Sequence, residues 1–402
     1  MTLRKYFLKH VGQTSPSPLM IEVAKAEGVF FHTPEGKRYF DLISGVSVSN
    51  VGHNNPHVVE AVQKQAADYM HVMVYGEMVE RPQVRYAARI AEEVARGFDF
   101  QEGKALDSLY FVNSGAEAVE VALKLAKRCT GRTEMISCLD AYHGSTHGAL
   151  SMLGGEEQKN AFRPLLPDVR QIRYNNFDDI ALITGRTACI LIEPVQGEAG
   201  VRPPLPGYLE AVRERCDKTG AMLIFDEIQT GFGRSGGLFA FMKHGVRPDI
   251  VCLGKAFGGG MPLGGVLAPQ SLTETFTHHP ALGHITTFGG HPVCCAAGLA
   301  AFEQIVGQRL WENAQQMGAL YERILAPHPA VKEIRRSGLL LAVELGCSER
   351  MFAAMKRFAE EGILSDWFLF CDTAFRISPP LTITEAEVRE SCNIITDILT
   401  RI

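Results

Sequence analysis

Asp249-Ile250-Val251-Cys252-Leu253-Gly254-Lys255-Ala256-Phe257-Gly258-Gly259-Gly260 is the stretch on which the reading of this chain turns. Its apolar run has the character of a buried strand, and it ends by presenting one amine, Lys255, at a glycine-rich turn. Earlier in the chain, Ala221-Met222-Leu223-Ile224-Phe225 ends on Asp226 in the same way. In an open α/β sheet, ligands sit beyond the carboxyl ends of the strands. Both side chains are therefore aimed into one crevice. A lysine and an aspartate placed there suit pyridoxal phosphate: the amine forms a Schiff base with the cofactor aldehyde, and the carboxylate keeps the pyridine nitrogen protonated, so that the ring accepts electrons.

Composition sets the outer bounds. A chain of 402 residues is long enough for a large core divided between two domains. Hydrophobic content of 46% with 21% charged residues is ordinary for a globular protein. A formal net charge of −5 gives no reason to expect nucleic acid or an anionic membrane as partner. The longest apolar stretch, Val293 to Phe302, is too short to span a bilayer. Residues Met1 to His10 lack the apolar core and cleavage site of a signal peptide. The ten cysteines include no CxxC pair, and several (Cys189, Cys252, Cys294, Cys295) lie in apolar runs. They read as buried reduced thiols of a cytoplasmic protein rather than a disulfide framework.

Along the chain, Val29-Phe30-Phe31 and Tyr39-Phe40-Asp41-Leu42 flank Thr33-Pro34-Glu35-Gly36, a hairpin signal. A helical pattern starts near His57. Strands then alternate with helices: Ser108 to Asn113, Glu134 to Cys138, Val169 to Arg173, Ala188 to Ile192, Ala221 to Phe225, Ile250 to Leu253 and Gly264 to Leu267. An amphipathic helix over Ala116 to Cys129 follows the first of them. That alternation predicts an α/β fold with a mainly parallel seven-stranded sheet covered on both faces by helices. After a helix beginning near Val293, the pattern predicts helix 307–326, strands around 331–345, helix 348–361 and a last helix from Glu385, a smaller α+β domain. The expected division is an N-terminal segment, 1–56, packed with the small domain, a large cofactor domain, 57–298, and a small C-terminal domain, 299–402.

Further candidates sit where strands end. Asn113-Ser114-Gly115-Ala116-Glu117 lies at a strand-to-helix junction, whose free N–H groups suit a phosphate; alternatively Ser114 is an ordinary helix cap. Asp140-Ala141-Tyr142-His143-Gly144 offers Tyr142 for stacking on a flat ring. His143 and His147 have i, i+4 spacing, but Gly144 and the lack of a HExxH pattern argue against a metal. Glu193 and Glu198, in Ile192-Glu193-Pro194-Val195-Gln196-Gly197-Glu198, place two carboxylates near the same rim. In Asp226-Glu227-Ile228-Gln229-Thr230-Gly231-Phe232-Gly233-Arg234, Ile228 is placed to pack on a ring face and Gln229 to hydrogen-bond a phenolic oxygen. A nucleoside-triphosphate enzyme fits poorly because no G-x-x-x-x-G-K-[ST] occurs. A nicotinamide enzyme fits poorly because no G-x-G-x-x-G opens a helix after the first strands.

Together these segments resemble the class III (ω-type) aminotransferases of the fold-type I pyridoxal-phosphate superfamily, from Gly52-His53-Asn54-Asn55-Pro56 to Arg376-Ile377-Ser378-Pro379-Pro380, with 225–265 the most specific part. The resemblance implies that Lys255 carries the cofactor and shuttles a proton, that Asp226 holds the ring nitrogen protonated, and that Tyr142 and Ile228 sandwich the ring. It assigns Gln229 to the phenolate side, counts His143 among the cofactor contacts, and gives Ser114, Gly115 and Ala116 to the phosphate. Thr287 would reach a neighbouring subunit's phosphate, which implies a homodimer with shared active sites. Here His291-Pro292 replaces the family's Asn-Pro beyond it. Arg376 would grip a substrate carboxylate and Glu198 would gate it. Tyr75 falls near a family tyrosine of the substrate pocket. Ser145 stands where ornithine, acylornithine and 4-aminobutyrate enzymes commonly carry arginine, and Val46 where ornithine enzymes carry tyrosine. The implied reaction moves an amino group from an amino acid or ω-amine to 2-oxoglutarate or pyruvate. The rival readings are a decarboxylase or aminomutase on the same scaffold and, more remotely, a protein that keeps the fold without turnover.

Overall fold

The computed structural model describes residues 2–402. Its centre is a seven-stranded sheet built from β1 (Ser108–Val112), β2 (Glu134–Cys138), β3 (Val169–Ile172), β4 (Thr187–Ile192), β5 (Met222–Asp226), β6 (Ile250–Leu253) and β7 (Gly264–Ala268), in the spatial order β1-β7-β6-β5-β4-β2-β3. Strands β6, β5, β4, β2 and β3 run parallel. Strand β7 is antiparallel to both of its neighbours, β1 and β6. The expected fold class, a mainly parallel seven-stranded α/β sheet, is the one found.

The central strands read as continuous apolar runs because both faces are covered. Successive side chains point to opposite faces. Leu223, Phe225, Val251, Leu253 and Leu267 join one buried cluster. Ile224, Ile250, Cys252, Val266 and Ala268 join another, against the helix Gly115–Thr130 through Val119, Ala122, Leu123 and Ala126. Each buried Val, Leu, Ile or Phe contributes about 1.5–3 kcal/mol relative to exposure. The helix ends on Gly131, whose φ of +67° supplies the left-handed cap.

The hairpin expected around residues 33–36 is present, with Phe30–His32 antiparallel to Arg38–Asp41. Arg38–Asp41 also pairs in parallel with Ile363–Leu364, so the chain's first sheet is closed by a strand from its last hundred residues. A third sheet joins Glu333–Ser337, Leu340–Glu344, Cys371–Ile377 and Trp367–Phe368 in that order. The helices Ser348–Glu361 and Glu385–Thr400 agree with expectation. The helix expected to begin near Val293 is Pro292–Gly307 and the one expected over 307–326 is Leu310–Leu325, the two separated where Arg309 adopts a φ of +49°. Strand Cys371–Ile377, which carries Arg376, was not anticipated, because its first half, Cys371-Asp372-Thr373, is at least partly exposed and reads as polar loop.

Arg234 ties together segments that are far apart in the chain. It is fully buried, and burial pushes its guanidinium down to about 9 against the opposing pull of Asp41. It donates to Leu339 O at 3.0 Å, Pro379 O at 2.6 Å, Asn50 Oδ1 at 2.7 Å and Ser44 Oγ at 3.2 Å. Replacing Arg234 by methionine would leave these acceptors buried and unpaired. Such a loss costs about 3–5 kcal/mol. Urea unfolding should show a stability loss of that size; a loss below about 1 kcal/mol would mean that the packing around it, not the guanidinium, joins these segments.

Candidate active site

The site grows from the carboxyl edge of the parallel strands. The pairing of β5 with β6 sets Asp226 opposite Cys252. The chain leaving β6 therefore passes Asp226 on its way out of the sheet, and Lys255 emerges at the same rim. Lys255 has a φ of +49°, unusual for a residue with a Cβ. Beyond the rim lies a cavity of about 330 Å³, lined by Lys255, Asp226, Ile228, Tyr142 and Glu198 among others.

Asp226 is 4% exposed and is fixed from two sides. His143 Nδ1 lies 2.7 Å from Asp226 Oδ2, and the Ile228 N–H donates to Oδ1 at 3.1 Å. His143 thus orients the carboxylate that the sequence singled out, while its own Nε2 has no partner. Glu193 lies behind them, accepting from the N–H groups of Gly197 at 3.0 Å and Tyr142 at 3.3 Å. Burial raises its carboxyl to about 7, an effect that His143 opposes and Asp226 reinforces. Burial likewise lowers the Lys255 amine, countered by the Glu198 carboxylate.

Pyridoxal phosphate fits these residues. Asp226 supplies an anion for a protonated ring nitrogen, and the Gln229 Nε2, buried without a hydrogen-bond partner, is a free donor for a phenolic oxygen. Ile228 packs against Gly115, where a Cβ would come within 2.9 Å of its side chain. Gly264 lets strand β7 lie against the Ser114 backbone, since a Cβ there would meet Ser114 O at 2.1 Å. Gly115 and Ala116 open a sixteen-residue helix at the cavity wall, where the first N–H groups lack intrahelical acceptors. Ser114 is its N-cap, with Oγ accepting from the Glu117 N–H at 3.2 Å, so the capping alternative describes its hydroxyl.

Arg376 is 1% exposed and its guanidinium lies 4.6 Å from the Phe368 ring centre. Its Nη2 donates to Glu198 Oε1 at 2.8 Å. Its Nε lies 3.0 Å from Asp366 Oδ1. Asp366 escaped the sequence reading because it sits in an aromatic-rich turn with no motif around it. Only its pairing across Cys371–Ile377 brings it beside Arg376. Ser145 lines the cavity, with its Oγ 3.2 Å from the Tyr142 hydroxyl. Of the expected residues, Ser114 and Arg376 adjoin lining residues without lining the cavity themselves, while Tyr75 is half-buried in an irregular segment outside the lining and Thr287 is exposed on another. Val46 occupies a kinked turn with a φ of +62°.

Comparison with known proteins agrees with this geometry. The family description "Aminotransferase class-III" matches residues 11–399. The acetylornithine aminotransferase of Methanopyrus kandleri is 39% identical over 383 residues, 94% of each chain. Ornithine aminotransferase 2 of Staphylococcus aureus is 37% identical over 397 residues, again 94% of each. Among solved structures, the ornithine aminotransferase of Toxoplasma gondii ME49 superposes with a TM-score of 0.89 at 30% identity, covering 100% of this chain and 96% of its own. An (S)-enantioselective ω-transaminase from Thermomicrobium roseum gives 0.88 at 29% identity, covering 99% and 97%.

The buried Glu193 makes stability depend on pH. Its folded value, about 7, lies above the ordinary carboxyl value of 4.5, so the folded state holds a proton that the unfolded chain releases. The resulting stabilisation is complete below pH 4.5 and is lost as pH rises to about 7. Glu193→Gln should lose less stability than the wild type between pH 5 and pH 8, the two differing by roughly 2 kcal/mol. Urea titrations at both pH values measure this; parallel curves would mean that Glu193 titrates normally.

Proposed function

Because the chain belongs to the class III aminotransferases, pyridoxal-phosphate-dependent enzymes, we propose that its transamination runs on Lys255 and Asp226, with Arg376 and Glu198 selecting the substrate. The observation that carries this reading is that Lys255, Asp226 and Glu198 line one cavity, with Glu198 ion-paired to the buried Arg376. Pyridoxal phosphate, when bound, supplies an electron-accepting ring that stabilises negative charge at the substrate Cα.

The remaining work falls to the chain's own side chains. Lys255 would hold the cofactor through its amine and, when freed, would carry a proton at the substrate Cα. Burial lowers its pKa, favouring the neutral amine which that task requires. Asp226, braced by His143, would keep the ring nitrogen charged. Ile228 and Tyr142 would confine the ring, Gln229 would donate to its phenolic oxygen, and the N–H groups of Gly115 and Ala116, with Ser114, would take the phosphate.

Arg376 binds the acceptor's carboxylate through a planar guanidinium. Glu198 neutralises that arginine when the incoming amine brings no carboxylate to it, so one cavity serves both half-reactions. The donor is an amino acid or ω-amine, and the acceptor is 2-oxoglutarate or pyruvate. Tyr75 is assigned to the outer wall of this pocket. Residues 57–298 form the cofactor domain, with 1–56 joined to the small domain, 299–402.

The working unit we assign is a homodimer in which Thr287 completes the partner's phosphate site. In support, Met70, Met78, Val79, Leu282, Ile285 and Phe288 are exposed on adjoining segments, Val79 at 93%. The His71 and Phe288 rings lie 4.7 Å apart, which joins those segments into one apolar face. A cytoplasmic location accords with ten free cysteines. Among the described residues, no helix is long and apolar enough to cross a membrane.

Mixing the cofactor-loaded enzyme with single amino donors tests the reaction. The visible absorbance of the bound cofactor should bleach with one donor class and return with 2-oxoglutarate or pyruvate. Release of carbon dioxide without bleaching would favour decarboxylation instead. Lys255→Ala should reduce turnover by about 1000-fold or more, and full activity in that variant would exclude the mechanism. Arg376→Ala should raise KM for the keto acid by roughly 10- to 100-fold, the worth of a charge-assisted contact. An unchanged KM would assign the carboxylate to another group.

A further inference from the structure

Arg376 faces two carboxylates, and they differ in kind. Glu198 meets Nη2 at 2.8 Å in good hydrogen-bond geometry. Asp366 lies 3.0 Å from Nε, yet neither Asp366 Oδ1 nor Arg376 Nε forms a hydrogen bond. Two opposite charges are thus in contact without the alignment of a fitted brace. Arg376 Nη1 has no partner either and remains available to an incoming anion.

We propose that Asp366 is a specificity-determining residue: a second carboxylate that competes with the keto acid for Arg376 and biases the cavity toward its amine substrate. This inference rests on the assignment of Arg376 as the carboxylate-binding group. The Asp366 carbonyl accepts the Arg376 N–H at 2.8 Å, which fixes the two residues side by side. The turn that follows Asp366 also touches the gate: the Leu369 N–H donates to Glu198 Oε2 at 3.2 Å and the Phe370 N–H to Glu198 O at 3.0 Å. With both carboxylates ionised, the cluster carries one net negative charge, an environment that attracts an ammonium group and opposes a carboxylate. Burial lifts the Asp366 carboxyl to about 6, with Arg376 opposing. Among the residues lining the cavity, Lys255 is the only Lys or Arg, while Glu198 and Asp226 supply two acidic groups besides the buried Glu193.

A competitor and a positioning residue predict opposite signs. The enzyme loaded with pyridoxamine phosphate is mixed with pyruvate or 2-oxoglutarate, and the half-saturating concentration is read from the returning visible absorbance. Asp366→Asn, nearly isosteric, and Asp366→Ala should both lower that concentration, on the order of 10-fold. Calorimetry of propanoate, which has the carboxylate of pyruvate without its keto group, should show tighter binding to the loaded variants by a similar factor. Unchanged or weakened binding of acceptor and propanoate in both variants would overturn the proposal. Arg376→Ala separates the two claims. If it leaves acceptor binding unchanged, the underlying assignment of Arg376 fails, and this inference with it. If it weakens binding while the Asp366 variants do not tighten it, only the role of Asp366 is overturned.

Discussion

The parallel pairing of β5 with β6 is the constraint on which the rest depends. Backbone hydrogen bonds place Asp226 opposite Cys252, and every side chain of these two strands before the rim is buried or nearly so. A one-residue slip in register would turn Leu223, Phe225, Val251 and Leu253 to the wrong face of the sheet. The cores on both sides therefore hold the register, and the register holds the distance between Asp226 and Lys255. Chemistry at the rim is positioned by packing energy spent elsewhere.

The charges around the cavity follow from that burial. Asp226 is buried and is satisfied by His143 and the Ile228 N–H. Glu227, fully buried on the next residue, accepts from the Thr230 hydroxyl and the Phe241 N–H, and burial still raises its carboxyl to about 7. Arg376 carries its charge at 1% exposure because carboxylates flank it. Burial of these groups strengthens each electrostatic contact that a substrate makes beside them.

Much of this was legible in the sequence, for a physical reason. Strands buried on both faces are written as short apolar runs, and their ends are marked by glycine or a single polar residue. All seven strands of the large sheet, and Lys255 and Asp226 at two of their ends, could be read in that way. What the sequence hid depends on contacts between distant residues. His143 resembles a lone structural histidine until the fold brings it to Asp226. Asp366 lies in a turn without a motif, and strand Cys371–Ile377 begins with polar residues, so neither announces the cluster at Arg376. The apolar faces of the segments bearing Met78 and Phe288 read as ordinary irregular chain, because only the folded surface shows them side by side.

The central claim is that one amine, at the end of β6, carries the cofactor. Reduction of the loaded enzyme with borohydride, followed by proteolysis and mass spectrometry, measures this directly. The account predicts the reduced cofactor on the peptide that contains Lys255. Its attachment to another lysine, or to none, would contradict the account.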